Sequence, residues 1–264
     1  MRLLSRIDKR KKAQSEVINI ASDMRNVSAI HYSCESFYDR PNGSSPRITS
    51  IAIKNLKTAQ TKSFSIHQIA EIKNIPLDQI NSHYDDLEKE MLSNFYNFID
   101  HNSQMKYLHW NMRDINYGFE ALAHRYRVYG GNPIDIPQSN LFDLSRIIIG
   151  LFGIHYIGHP RLQKIVKKNH ITDINFLTGQ EEAEAFENKD YVKLHLSTLR
   201  KVDTLANIFG RLTDGTLKHN ATFKEIYGNF LAYTVETIQE HPVYILLGII
   251  LTIVTLIQLI WGLI

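Results

Sequence analysis

The chain has 264 residues, 44% hydrophobic and 22% charged, with a formal net charge of +3 and a pI near 8.8. That length holds one large domain or two small ones with a substantial core, and the balance excludes an intrinsically disordered chain. The slight positive charge permits contact with nucleic acid or anionic lipid without requiring it, and the lone Cys34 excludes an intrachain disulfide, making a reducing compartment the default.

Residues 1–24 form a basic N-terminal arm. Met1–Lys12 carries positive charge but no apolar core and no small-residue cleavage site, so no secretory signal is expected. Lys9–Lys12 reads as a solvated, frayed arm; the alternative is contact with lipid head groups or phosphates. Ala29–Phe37 is a first strand, followed by the turn-rich 39–46 loop. Arg47–Lys54 and Gln60–Ile66 then make a hairpin. Tyr84–Asp100 is a helix with Leu87, Met91, Leu92, Phe95 and Ile99 on one face. Met105–Trp110 fits a central strand, and Ile115–Tyr129 a helix closed by Gly130-Gly131. Beyond Pro137 the chain is mostly helical. Ser139 is expected to cap the helix bearing Leu144, Ile147, Ile148 and Leu151, and Pro160 to open the next. Thr178–Glu181 has capping-box spacing, and Leu194–Leu212 marks a longer helix.

Residues 219–241 read as an amphipathic connecting helix and 242–264 as a transmembrane helix. The latter stretch has no charged side chain, and at about 1.5 Å per residue it reaches roughly 35 Å, enough for a hydrocarbon core of about 30 Å. Tyr244 and Trp261 stand at aromatic-belt positions. Gly248, Thr252, Thr255 and Gln258 are the other singled-out membrane positions; the span reads first as a plain anchor, the alternative being that the last three form a polar edge along which spans associate into a homo-oligomer. The expected location is a single-pass membrane protein with its N-terminal domain in the cytoplasm.

The fold class read from this order is α/β: a mixed sheet flanked by helices, a mostly helical C-terminal half and one C-terminal transmembrane helix. Residues 25–218, through Ser33-Cys34-Glu35, Leu108-His-Trp-Asn-Met-Arg-Asp114 and Tyr191–Asp203, resemble the ribonuclease-H-like domain of DEDD-type 3′–5′ exonucleases. The resemblance implies a catalytic pair Glu35 and Asp114 in a degenerate site with Ser33 and Lys201. It departs where Ser33 replaces a metal-bridging carboxylate and where Arg200 and Lys201 occupy a ligand position. Two-metal cleavage needs converging carboxylates, so the domain is expected to be a pseudoenzyme without cofactor.

The expected binding residues are His109, Trp110, Asn111, Arg113, Arg200 and Lys201, with Trp110 stacking a base and the cations pairing with phosphate. The plain alternatives are strand-end polar groups and a solvated helix face. His155, His159 and His170 lack a ligand partner at zinc spacing. The expected function is a tail-anchored membrane protein whose exonuclease-like domain binds nucleic acid, nucleotide or a protein partner. By analogy it would be a membrane effector of a microbial phage-defence or toxin system. One alternative is an active tethered nuclease using Mg²⁺ with Glu35, Asp114 and one of Asp143, Asp190 or Asp203. Another is a membrane scaffold without nucleic-acid contact.

Overall fold

Five strands make one mixed sheet in the order β3-β2-β1-β4-β5, from β1 (Val27–Cys34), β2 (Ile48–Asn55), β3 (Thr61–Ser65), β4 (Lys106–His109) and β5 (Leu141–Asp143). The computed structural model describes residues 6–35, 45–113, 117–228, 251–253 and 255. β1, β2 and β3 are antiparallel neighbours, with Ser33 opposite Ser50 and Lys54 opposite Thr61. β4 runs parallel to β1 and β5 parallel to β4, with His109 opposite Asp143. The hairpin forms where expected because Asn55 Oδ1 accepts the Lys57 and Thr58 N–H groups, closing the turn by its own side chain.

Every residue of β1 is buried, as a central strand covered on both faces must be. Its even positions Ile30, Tyr32 and Cys34 join Ile51 and Ile53 against α3 (Tyr84–His101), whose Leu87, Met91, Leu92, Phe95 and Ile99 fill that layer as their spacing predicts. Val27, Ala29 and Ala52 face the other way. They meet α5 (Leu144–Phe152) and the C-terminal half of the 23-residue α8 (Tyr191–Thr213).

Several expectations change. The N-terminal segment is the helix α1 (Arg6–Ser22) rather than a frayed arm: Ala13 and Ile20 are buried, and Arg6 donates to the Gly150, Leu151 and Glu225 carbonyls. α2 (Ile66–Ile72) follows β3 directly. Asp143, not Ser139, caps α5, accepting the Ser145 and Arg146 N–H groups. α4 (Phe119–Val128) starts later than expected, with residues 114–116 outside the described set. α6 (Arg161–Lys168) follows Pro160, and α7 (Gly179–Glu187) begins with the expected Thr178/Glu181 capping box. Of the expected connecting helix at 219–241, residues 229–241 lie outside the described residues, and α9 (Phe223–Tyr227) stops at Gly228, whose φ of 77° leaves the helical region.

Among the described residues no helix is long and apolar enough to cross a membrane. The expected transmembrane helix at 242–264 falls outside them except at 251–253 and 255, so Tyr244, Gly248, Gln258 and Trp261 are not described. Of its polar positions, Thr255 Oγ1 donates back to the Leu251 carbonyl.

Candidate ligand-binding cleft

Two polar arrangements collect several of the residues singled out from the sequence. The first is buried between the sheet and α8. Ser33 on β1 and Lys201 on α8 come together through Glu182 of α7: Glu182 Oε1 accepts from Ser33 Oγ at 2.8 Å, Ser197 Oγ at 2.9 Å and Lys201 Nζ at 2.7 Å. Thr198 Oγ1 bonds both Ser33 Oγ and Ser50 Oγ, extending the chain of hydroxyls across β1 and β2. His31 lies nearby with its pKa well below the imidazole value, chiefly through burial and secondarily through Lys201, so it is neutral. The Glu182 carboxylate thus meets a fixed ammonium where a divalent ion would need free negative charge. No motif in the sequence singles out Glu182, though its helical register with buried Ala185 and Phe186 marks it as inward-facing.

Among the described residues, the other expected ligands make their bonds outside this cluster. Glu35 accepts the Arg47 N–H at 3.3 Å. Asp114 lies outside the described residues. Asp203 pairs with Lys54 at 2.6 Å, and Arg200 donates to the Ile174 carbonyl, turned away from its neighbour Lys201. Among the described residues, no group of three His, Cys, Asp or Glu side chains is arranged to hold a metal ion. The residues described therefore do not fit the two-metal set implied by the exonuclease resemblance.

The second arrangement is a cleft of about 760 Å³ at the C-terminal ends of β4 and β5, walled by α1 and α5. In open α/β sheets this is where ligands sit, because the loops leaving parallel strands converge there. His109 ends β4 in its wall. Burial lowers its pKa to about 4, and Nδ1 accepts the Met112 N–H at 3.1 Å, so the neutral ring carries its proton on Nε2 and is a donor there. Asp143 ends β5. Its Oδ1 accepts from Ser145, Arg146 and Asn111 N–H groups, while its buried Oδ2 accepts no hydrogen bond and lies 3.0 Å from Arg113 Nη1 as an ion pair. Asn111 holds φ at 61° and accepts from Arg113, fixing the loop after β4. Trp110 is half-buried against the α5/α8 core.

Lys9, Lys12 and Glu16 from α1 and Arg146 from α5 complete the polar wall, with Glu120 and Asp135 on the other side. Lys9 and Arg146 form no ion pair among the described residues. Burial raises the Glu16 pKa, opposed by Lys12. Phe95, Met112, Phe119 and Ile147 supply apolar surface. Of the expected binding residues, His109 and Arg113 reach this cleft, while Arg200 and Lys201 do not.

No family model, curated protein or solved structure matches the chain. A mixed sheet with helices on both faces is common to many α/β folds and only weakly compatible with the ribonuclease-H-like one. The assignment to DEDD-type exonucleases with a membrane anchor is corrected accordingly: no match supports it, and no spanning helix is present among the described residues.

Proposed function

We propose that the protein is a membrane-associated binding module whose cleft takes a phosphate-bearing ligand of nucleotide size. The observation that carries this reading is the cleft at the ends of β4 and β5, which Lys9, Lys12 and Arg146 line together with His109. Its volume falls in the range of small-molecule sites, about 300–1,000 Å³. Cations on one wall suit phosphate oxygens. Glu16 and Glu120, with the aromatic floor, suit hydroxyls, amines and the face of a base, which favours a nucleotide over a bare phosphate. The uncharged sequence 242–264 supports attachment to a membrane, with the α/β body on the cytoplasmic side.

Calorimetric titration of the full chain in detergent micelles with mono-, di- and trinucleotides and short oligonucleotides tests the reading. Binding should weaken with salt and fall about 10- to 100-fold in Arg146→Ala, the worth of a charge-assisted hydrogen bond. Absence of binding across the panel, or binding indifferent to Arg146→Ala, would refute it. Release of nucleotides from a labelled oligonucleotide with Mg²⁺ would replace it with a hydrolase.

A further inference from the structure

From Leu144 to Thr172 and again from Gly215 to Lys224 the sequence contains no Asp or Glu. The fold brings these two acid-free stretches side by side. Asn169 at the end of α6 donates to the Lys218 carbonyl at 3.0 Å and accepts its N–H at 2.8 Å, and the Asn220 N–H reaches the Tyr156 carbonyl at 2.7 Å. Arg161, Lys164, Lys167 and Lys168 of α6 therefore share one region with Lys218 and Lys224. Ile165 and Val166 are buried beneath, while Lys164, Lys167, Lys218 and Lys224 are exposed.

The carboxylates bordering these stretches are Asp143, which caps α5, the exposed Asp173 and Asp214, and Glu225, whose Oε2 accepts the Thr222 N–H at 2.7 Å in the cap of α9. One large apolar side chain stands out among these cations, Ile154 at 57% exposure, while the half-exposed Phe223 lies against the Tyr227 ring. Ring contact between Phe152 and His219 ties the Ile154 loop to the Lys218 segment. The described chain runs through α9 to Gly228, and residues 229–241 separate it from the uncharged run at 242. Thirteen residues reach at most about 45 Å when extended.

We propose that this basic, apolar-studded face is a docking surface for an anionic lipid bilayer. Lipid phosphates and carboxylates match the cations, and Ile154 enters the acyl boundary, a component that a purely phosphate-lined nucleic acid would not solicit. The inference rests on the membrane part of the reading above and is independent of the cleft.

The test uses the full chain with a polarity-sensitive fluorophore on Gln163→Cys in α6. The chain is mixed with phosphatidylcholine vesicles, with vesicles also containing phosphatidylserine, and with a single-stranded oligonucleotide. The emission should shift to the blue only with the anionic vesicles and return at high salt. Lys164→Gln/Lys167→Gln/Lys224→Gln, all exposed positions, should need on the order of 100-fold more anionic lipid, since each lysine near such a surface contributes about a factor of five. Equal shifts on both vesicle types, no shift, or an unaffected triple variant would overturn the proposal, as would a shift with the oligonucleotide alone. Flotation with neutral vesicles reports separately on residues 242–264, so loss of the docking face and loss of membrane attachment are distinguishable.

Discussion

Replacing Lys201 by Met removes the cation from a carboxylate that no solvent reaches. Glu182 is 0% and Lys201 5% exposed, and after the change only the Ser33 and Ser197 hydroxyls remain on Oε1. Breaking a buried pair from one side costs about 3–5 kcal/mol, because the surviving charge keeps its desolvation penalty and loses its partner. For a chain of this size that lowers Tm by on the order of 10 °C. Glu182→Gln should cost a similar amount by stranding the ammonium. The double variant Glu182→Gln/Lys201→Met carries neither charge, keeps an amide oxygen for the two hydroxyls, and should lie within about 1 kcal/mol of the parent. Urea unfolding of the full chain in mild detergent, followed by circular dichroism, measures all four members of the cycle. A single-variant loss under about 1 kcal/mol, or a double variant as unstable as the sum of the singles, would refute the view that this is a closed internal ion pair.

Three further outcomes follow from other parts of the structure. Glu88 is fully buried and accepts from the Ile48 N–H at 2.7 Å and from Arg125 Nε and Nη2 at 2.8 and 2.7 Å; Glu88→Ala should cost about 3–5 kcal/mol by urea unfolding and loosen the start of β2 in hydrogen exchange. A Cβ on Gly150 would stand 2.7 Å from the Ala13 Cβ, so Gly150→Ala gains about 1 kcal/mol of helix propensity in α5 but overpacks by about 1–3 kcal/mol, and amide exchange in α1 should accelerate. Burial depresses His109 and His195 to about 4, below the ordinary value of 6.5; the unfolded chain binds their protons first, so their stabilising share is intact above pH 6.5 and is lost as pH falls toward 4. His195→Gln should flatten the pH dependence of Tm across that window, and an unchanged slope would contradict the burial argument.

Local pattern made much of the fold legible. The apolar spacing from Leu87 to Ile99, the Asn55 turn between two β-rich runs and the Thr178 capping box each act over a few residues, so propensity and periodicity find them. β5 has three residues and no readable alternation, and it exists as a strand because β4 offers a free parallel edge. α1 looks like a solvated tail because its lysines dominate the composition, whereas its fixing contacts are Arg6 to carbonyls more than a hundred residues away.

The cleft was half legible. His109 and Arg113 stand out in their motif, but Lys12, Glu16 and Arg146 join them only because α1 packs on α5. Sequence alone determined that Ser33 could not serve as a bridging carboxylate and that adjacent cations sit at positions 200 and 201. Tertiary structure alone decided that Lys201 turns inward, Arg200 outward, and that Glu182 closes the buried charge 149 residues from Ser33. Side-chain type is a local property, whereas the partner that compensates a buried charge is chosen by packing between distant segments.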